Sequence, residues 1–105
     1  MKYIMKVRFQ VEKGNQALSD PQFGHKMSEL LSEIKAEAAY FTTFSGQRGA
    51  YIVVNLNDAS ELPAVAEPFF LWLNADVDWF PVMKPEDLAK AGPAIGAAVQ
   101  KYGKR

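Results

Sequence analysis

An α+β fold is predicted by the order in which the spacing of apolar residues changes along this 105-residue chain. Residues 3–11 alternate between apolar and polar side chains, which is typical of a strand with one buried face. Residues 21–36 repeat at helical spacing, and two strand-like runs, 39–45 and 50–56, then meet at a turn flanked by glycines. A second helical stretch and a last strand-like run, 77–83, follow. The order β-α-β-β-α-β predicts a ferredoxin-like sandwich.

Length and charge restrict the class of protein. A chain of this length is expected to form one domain, over 1–105, with a single modest core. Lys plus Arg and Asp plus Glu number 12 each, so the formal net charge is zero, which argues against nucleic acid as the main ligand. Because there is no cysteine and only one histidine, we expect no metal site within one chain and no cofactor.

The polarity of the N-terminus argues against a membrane location. Lys6 and Arg8 interrupt any apolar region that a signal peptide would need. The most apolar stretch, 69–73, is far too short to span a bilayer. We therefore expect no membrane association and a cytoplasmic protein.

The first strand separates two kinds of side chain. Its odd-numbered positions are apolar and are expected to face the helices: Tyr3, Met5, Val7, Phe9 and Val11. Its even-numbered positions mix one apolar residue with charged ones: Ile4, Lys6 and Arg8. Residues 13–15 are predicted to end the strand.

The first helix is predicted to begin at Ser19 or Asp20, either of which can cap it, with Pro21 in its first turn. Its apolar residues fall at offsets of 0, 4, 7, 8 and 11, which makes one stripe along the helix. These residues are Phe23, Met27, Leu30, Leu31 and Ile34.

Glycine, proline and acidic residues mark the later boundaries. The hairpin is predicted to turn at 46–49, which begins and ends with glycine. Asp58 and Glu61 have the spacing of a capping box, which predicts the start of the second helix. Pro68 removes a backbone donor and is expected to kink or split that helix. Pro81 cannot donate to a ladder, so the last strand is expected at a sheet edge, in agreement with the ferredoxin-like order 4-1-3-2.

The C-terminal part is predicted to add helix to the sandwich. Residues 85–88 start a short helical piece that Gly92 and Pro93 end. The alanine-rich remainder has apolar side chains at helical spacing, and two basic residues follow it. The apolar residues are Ile95, Val99 and Tyr102, and the basic ones are Lys104 and Arg105.

One face of the predicted sheet is left without helices. On this face Tyr51, Val53 and Asn55 of the third strand would join Lys6 and Arg8 of the first. The mixture is too apolar for free solvent and too polar for a dry core, which suits a sheet packed on a second sheet around a wet cavity. We therefore expect a homodimer, for which two-fold symmetry is the commonest arrangement.

The order of elements resembles that of the dimeric α+β barrel superfamily. Two short stretches strengthen the resemblance: MKY at 1–3 with RF at 8–9, and VDWFPVM at 77–83. They are similar to a family of uncharacterised bacterial single-domain proteins within that superfamily. The resemblance covers roughly the first 90 residues.

The resemblance implies a small-molecule pocket, either between sheet and helices or near the dimer interface. Relatives in the superfamily include cofactor-independent monooxygenases, muconolactone isomerases, dye-type haem peroxidases and amino-acid-binding regulatory domains. No catalytic motif of these enzymes is matched residue by residue, and the only histidine lies on the first helix. Because fold does not fix function, both cofactor-free isomerase or monooxygenase-like chemistry and non-catalytic ligand sensing or protein interaction stay open.

Four residues are predicted to line a ligand pocket: Arg8, Tyr51, Asn55 and Trp79. Arg8 would hold the anionic group of a small, partly apolar acid or ketone. Asn55 or Tyr51 would donate a hydrogen bond, and Trp79 would pack on the apolar part. The alternatives are an ion pair between Arg8 and an acid such as Asp78, and aromatic residues that belong to the core or the dimer interface.

His25 is the candidate for a catalytic acid or base, because it alone has an ordinary pKa near neutrality. It lies about 160° around the helix from Met27, and this favours a solvent-facing residue instead. Asp76 and Asp78 share one face of a strand and would bind a cation or share a proton. A solvated strand edge is the commoner role for such a pair.

Overall fold

The computed structural model describes residues 1–103, and Lys104 and Arg105 lie outside the described residues. Four strands are present: β1 (Lys2–Arg8), β2 (Ala38–Phe44), β3 (Gln47–Asn55) and β4 (Asp76–Pro81). The helices are α1 (Val11–Ser19), α2 (Phe23–Glu33), α3 (Leu62–Leu73), α4 (Pro85–Lys90) and α5 (Gly92–Tyr102). The fold is therefore mixed α+β, as the sequence predicts.

The strands form one antiparallel sheet in the order β2-β3-β1-β4. Read from the other edge, this is the predicted order 4-1-3-2. β4 lies at an edge of the sheet, with Pro81 opposite Tyr3 of β1. The edge position of the proline-containing strand is thus confirmed, and it is tolerated because one side of an edge strand has no ladder to complete.

The core lies between one face of the sheet and helices α1, α2 and α3. The alternation in β1 and β3 correctly predicts which of their side chains are buried, because successive side chains of a strand point to opposite faces. The stripe on α2 is also confirmed, with Met27 and Leu30 buried. The largest fully buried side chains are Phe69, Met5, Ile52, Leu73, Val7 and Val54.

The structure corrects the end of the first strand. β1 stops at Arg8, and residues 11–19, which the alternating pattern assigns to strand and loop, form α1. The helix begins because the Gln10 side chain caps it, accepting a hydrogen bond from the Lys13 N–H at 3.1 Å. Val11 is consequently exposed on α1 instead of facing the core.

The helix that is predicted to begin at Ser19 or Asp20 is α2, and it begins later than predicted, at Phe23. Asp20 does accept a hydrogen bond from the Gln22 N–H, at 2.9 Å. This bond closes a turn ahead of α2 and does not cap the helix itself, because the residue at its N-cap is Gln22. Pro21 lies within that turn.

The hairpin turn is shorter than the predicted 46–49. Ser45 and Gly46 make the turn with φ of 50° and 81°, and two successive residues with positive φ are what a two-residue hairpin requires. Residues 47–49 therefore belong to β3, where they pair with residues 42–44 of β2.

The capping box ahead of α3 is confirmed. The Asp58 carboxylate accepts a hydrogen bond from the Ser60 N–H at 2.8 Å. The Glu61 carboxylate accepts one from the Asp58 N–H at 3.5 Å and a shorter one from the Asn57 N–H at 2.8 Å. A 3₁₀ turn (Ala59–Glu61) then leads into α3, which runs through Pro68 without a break. The predicted split does not occur, and four buried side chains on one side of α3 hold the helix to the core.

Helices α4 and α5, together called the arm (residues 85–102), account for the elongated shape of the molecule. The longest dimension is 59 Å, whereas the other two are 28 and 21 Å. Neither helix of the arm has a buried residue. Within residues 1–103, no helix combines the length and the apolar character that crossing a membrane requires.

Candidate functional site

The sheet face opposite the helices, called the open face, carries the predicted mixture of charged and apolar side chains. The register places Lys6 of β1 between Tyr51 of β3 and Asp78 of β4, and it places Arg8 beside Asp76. Three aromatic residues on this face are exposed in a single copy of the chain, namely Tyr40, Tyr51 and Phe80. The open face is therefore both charged and partly apolar.

Arg8 pairs with Asp76 and not with Asp78. Its Nη2 donates a hydrogen bond to Asp76 Oδ2 at 2.9 Å, but the Asp76 side chain is 72% exposed, so solvent screens the pair. Arg8 Nε is shielded from solvent and has no hydrogen-bond partner among residues 1–103. A shielded donor without an acceptor costs about 1–3 kcal/mol. Arg8 is thus only partly satisfied, and because its side chain is 40% exposed, a further acceptor can approach it from solvent.

Two aromatic rings, Phe44 and Tyr51, lie near Lys6 of β1. Lys6 Nζ is 4.7 Å from the centre of the Phe44 ring, and Phe44 meets Tyr51 edge-on with 5.1 Å between the ring centres. A cation–π contact of this kind contributes about 0.5–1 kcal/mol at an exposed site. We call these four residues the Arg8 cluster: Lys6, Arg8, Phe44 and Tyr51.

Gly49 sets the position of Phe44 in this cluster. A Cβ at residue 49 would lie 2.5 Å from Phe44 Cε2 and would also meet the Val7 carbonyl oxygen. The absence of a side chain therefore lets the Phe44 ring lie against the sheet next to Tyr51. Reasoning from sequence misses Phe44, because the glycine that would point to it is assigned to the turn.

Asn55 lies at the other end of the open face from Arg8. It is opposite Lys2, whereas Arg8 is six residues farther along the same strand. At 3.3 Å per residue the two ends are about 20 Å apart. Asn55 instead lines a cleft of about 400 Å³ together with Lys2, Lys84 and Asp87. One small ligand cannot contact both Arg8 and Asn55.

The charges around this cleft are largely balanced. Lys2 Nζ donates a hydrogen bond to Glu37 at 2.5 Å. This bond is the main reason that the pKa of the Glu37 carboxyl lies below its usual value, and Lys84 and Asn55 act in the same direction. Because Glu37 pairs with Lys2 and Asp87 also lines the cleft, the two lysines give the cleft no excess of positive charge.

Trp79 lies on the opposite side of the sheet from the open face. It is opposite Met5 in the register, and Met5 is fully buried beneath the helices. The Trp79 ring packs edge-on against Tyr3, with 5.7 Å between the ring centres. Of the four predicted pocket residues, the structure therefore brings only Arg8 and Tyr51 together.

His25 lies on the outer surface of α2. Its side chain is 74% exposed, and its Nε2 is 3.4 Å from Glu29 Oε2, one turn along the helix. Because α2 packs on the face of the sheet away from the Arg8 cluster, the core separates His25 from that cluster. Its imidazole cannot exchange a proton with a ligand held there.

No protein-family model matches the chain, and a search of curated proteins finds no match to it. The function must therefore be inferred from the residues themselves. Within residues 1–103, no group of three or more histidine, aspartate or glutamate side chains is placed to hold a metal ion.

Proposed function

We propose that the protein is a homodimer that binds a small, partly apolar acid or ketone between the open faces of its two subunits. The observation that carries this proposal is the Arg8 cluster, in which Lys6 lies over the Phe44 ring, Phe44 meets Tyr51, and Arg8 lies on the same uncovered face opposite Gly49. A guanidinium and an ammonium favour a carboxylate or enolate. The rings of Phe44 and Tyr51 favour a flat apolar body attached to it.

The apolar part of the open face supports the dimer. Ile4 and Val53 are only half-buried in one copy, and Tyr40 and Phe80 are exposed. Two sheets that face each other pack about 10 Å apart, which would cover these residues and leave a wet cavity at the cations. This arrangement is that of the dimeric α+β barrel superfamily, in which we place the chain as part of the same proposal.

Ligand binding without acid–base catalysis is favoured by the position of His25. A cofactor-free isomerase or a monooxygenase-like enzyme would need a base near the bound molecule. His25 lies beyond the core from the Arg8 cluster and is solvent-exposed. This position favours the second candidate function, which is non-catalytic: either ligand sensing or protein interaction.

Calorimetric titration with a panel of aliphatic and aromatic carboxylates tests the proposed site. We expect the wild type to bind a flat unsaturated carboxylate, and Arg8→Gln to weaken that binding by about tenfold or more, equivalent to about 1.4 kcal/mol. Arg8→Lys keeps the charge but loses the planar fork, so its affinity should fall between the two.

Arg48→Gln is the matched control, because Arg48 is also an arginine of the sheet. Its Nη1 donates a hydrogen bond to Asn15 of α1 at 2.8 Å, on the helix side. Equal loss of binding in Arg8→Gln and Arg48→Gln would contradict the proposal. Failure of the wild type to bind every carboxylate in the panel would contradict it as well.

A further inference from the structure

The arm carries an exposed apolar stripe. It is formed by Ile95, Val99 and Tyr102, which fall at helical spacing on α5, and Leu88 of α4 is exposed as well. Val99, near the middle of α5, is 56% exposed. The main packing partner of α5 within residues 1–103 is α4, which is itself only six residues long. The stripe is therefore left open in a single copy of the chain.

Helix α5 is too short to be stable without a packing surface. It has 11 residues, and isolated helices below about 12–15 residues are marginal in water even with favourable sequences. Gly96 in its interior lowers its helix propensity by about 1 kcal/mol relative to alanine. The apolar stripe is consequently the surface through which α5 would gain its stability.

The position of the arm directs it away from its own body. The radius of gyration is 17.8 Å, whereas a compact chain of this length has about 13 Å. The arm begins at the rim of the open face, where Lys84 and Asp87 line the cleft with Lys2 and Asn55. In a dimer that pairs the open faces, this rim borders the second subunit.

The helix layer offers an apolar groove of matching character. The groove lies between α2 and α3, has a volume of about 390 Å³ and is lined by Lys26, Leu30, Pro68, Leu71 and Trp72. Leu71 is 78% exposed, although it belongs to a helix whose other side is buried. The stripe and the groove are two apolar surfaces that pairing of the open faces would leave uncovered.

We propose that each subunit docks the stripe of its arm into the α2–α3 groove of a second copy of the chain, so that a dimer exchanges two arms. The inference rests on the proposed pairing of open faces. Two-fold symmetry makes the two contacts equivalent and closes the assembly. An arm of residues 85–102 is about 27 Å long and about 10 Å wide. Two such contacts bury on the order of 1,000 Å², which is near the lower bound for a stable interface.

Sedimentation equilibrium of three variants tests the arm exchange. Val99→Asp places a charge on the stripe, Leu71→Lys places one in the groove, and both should raise the dimer dissociation constant by about tenfold or more. Gln100→Asp is the matched control, because it adds the same charge one residue along α5 and off the stripe. Its dissociation constant should stay within about twofold of the wild type. Circular dichroism verifies that each variant is folded.

A mixing experiment separates docking from a general loss of stability. In an equimolar mixture of Val99→Asp and Leu71→Lys chains, one contact pairs the introduced aspartate with the introduced lysine, and the other contact is unaltered. Heterodimers should therefore form with an affinity near that of the wild type. The arm exchange is overturned if the mixture associates no better than its components, or if Val99→Asp dimerises like the wild type.

The outcomes distinguish this inference from the proposed function. A dimer that is insensitive to Val99→Asp overturns the arm exchange and leaves the pairing of open faces intact. Rescue by mixing, combined with no carboxylate binding, supports the arm exchange and overturns the proposed ligand. A wild-type chain that stays monomeric overturns the arm exchange together with the dimer.

Discussion

At the residue scale, the pattern of the first strand identifies the face of Arg8 but not its partner. Asp76 and Asp78 both lie on that face, because they are two residues apart on β4. Only the register between β1 and β4 shows that Arg8 meets Asp76, at 2.9 Å. Trp79 directly follows Asp78, so alternation along β4 places it on the opposite face, and the register sets it against Met5 and the core.

Gly49 gives the sharpest prediction at this scale. Gly49→Ala would bring a Cβ to within 2.6 Å of two atoms of the Phe44 ring and onto the Val7 carbonyl oxygen. We expect a loss of about 1–3 kcal/mol in the free energy of unfolding, measured by urea denaturation, because a packed site must open. The variant should also displace Phe44 and weaken carboxylate binding.

The control for this prediction is Gly24→Ala on α2. An added Cβ at residue 24 meets nothing within 4 Å, and alanine is a better helix former by roughly 0.5–1 kcal/mol. The free energy of unfolding should therefore rise or stay constant. If Gly49→Ala proves as harmless as Gly24→Ala, the placement of Phe44 is wrong.

At the scale of elements, the sequence predicts a helix boundary where side chains close to that boundary in the sequence cap the helix. The capping box of Asp58 and Glu61 predicts the start of the second helix, because its hydrogen bonds join neighbouring residues. Helix α1 is missed because Gly14, which suggests a loop, lies against a residue that is distant in the sequence. A Cβ at Gly14 would lie 3.2 Å from Arg48 Nη1, which comes from β3. No pattern within 11–19 shows that contact.

The sequence predicts on which face of the sheet the candidate site lies, but not which residues of that face lie close together. Alternation on neighbouring strands correctly assigns Arg8, Tyr51 and Asn55 to one face. Alternation contains no information about distance along the strands. It therefore groups Asn55 with Arg8, although the two residues lie at opposite ends of the open face, about 20 Å apart. Phe44 is paired within the sheet only because the two-residue turn extends β3 back to Gln47, which lies opposite Phe44.

The capping box predicts a pH dependence of stability. Hydrogen bonds from Ser60 hold the pKa of the Asp58 carboxyl below the usual 3.8. The bond from the Ser60 N–H has the larger effect, and the bond from the Ser60 hydroxyl has the smaller one. A carboxyl whose pKa is lower in the folded state stabilises the fold above its ordinary pKa, and this contribution is lost as the pH falls through the folded value. The stability difference between wild type and Asp58→Ala should therefore be largest at neutral pH and shrink in acid.

Urea denaturation across that pH range measures this difference. Asp58→Asn is the control, because an amide oxygen still caps the helix but does not titrate. It should retain much of the stability at neutral pH. A difference between wild type and Asp58→Ala that is constant from neutral to strongly acidic pH would show that the carboxylate is not the cap.

At the scale of the whole molecule, two surfaces are left uncovered in a single copy of the chain: the open face of the sheet and the stripe of the arm. The mixed composition of β1 already predicts that one face of the sheet needs a partner. The elongation of the chain to 59 Å adds a second surface, the stripe of the arm, whose helical spacing the sequence already shows but whose exposure appears only in the fold. A second copy of the chain would cover both surfaces at once.

The pairing of open faces is the central claim, and sedimentation equilibrium of one pair of variants tests it most directly. Tyr40→Asp charges the open face, whereas Thr43→Asp charges the other face of the same strand, and both positions are exposed in a single copy. We predict that the wild type is a dimer at micromolar concentrations, that Tyr40→Asp raises its dissociation constant by about tenfold or more, and that Thr43→Asp leaves it nearly unchanged. A monomeric wild type, or equal effects of the two substitutions, would contradict the claim.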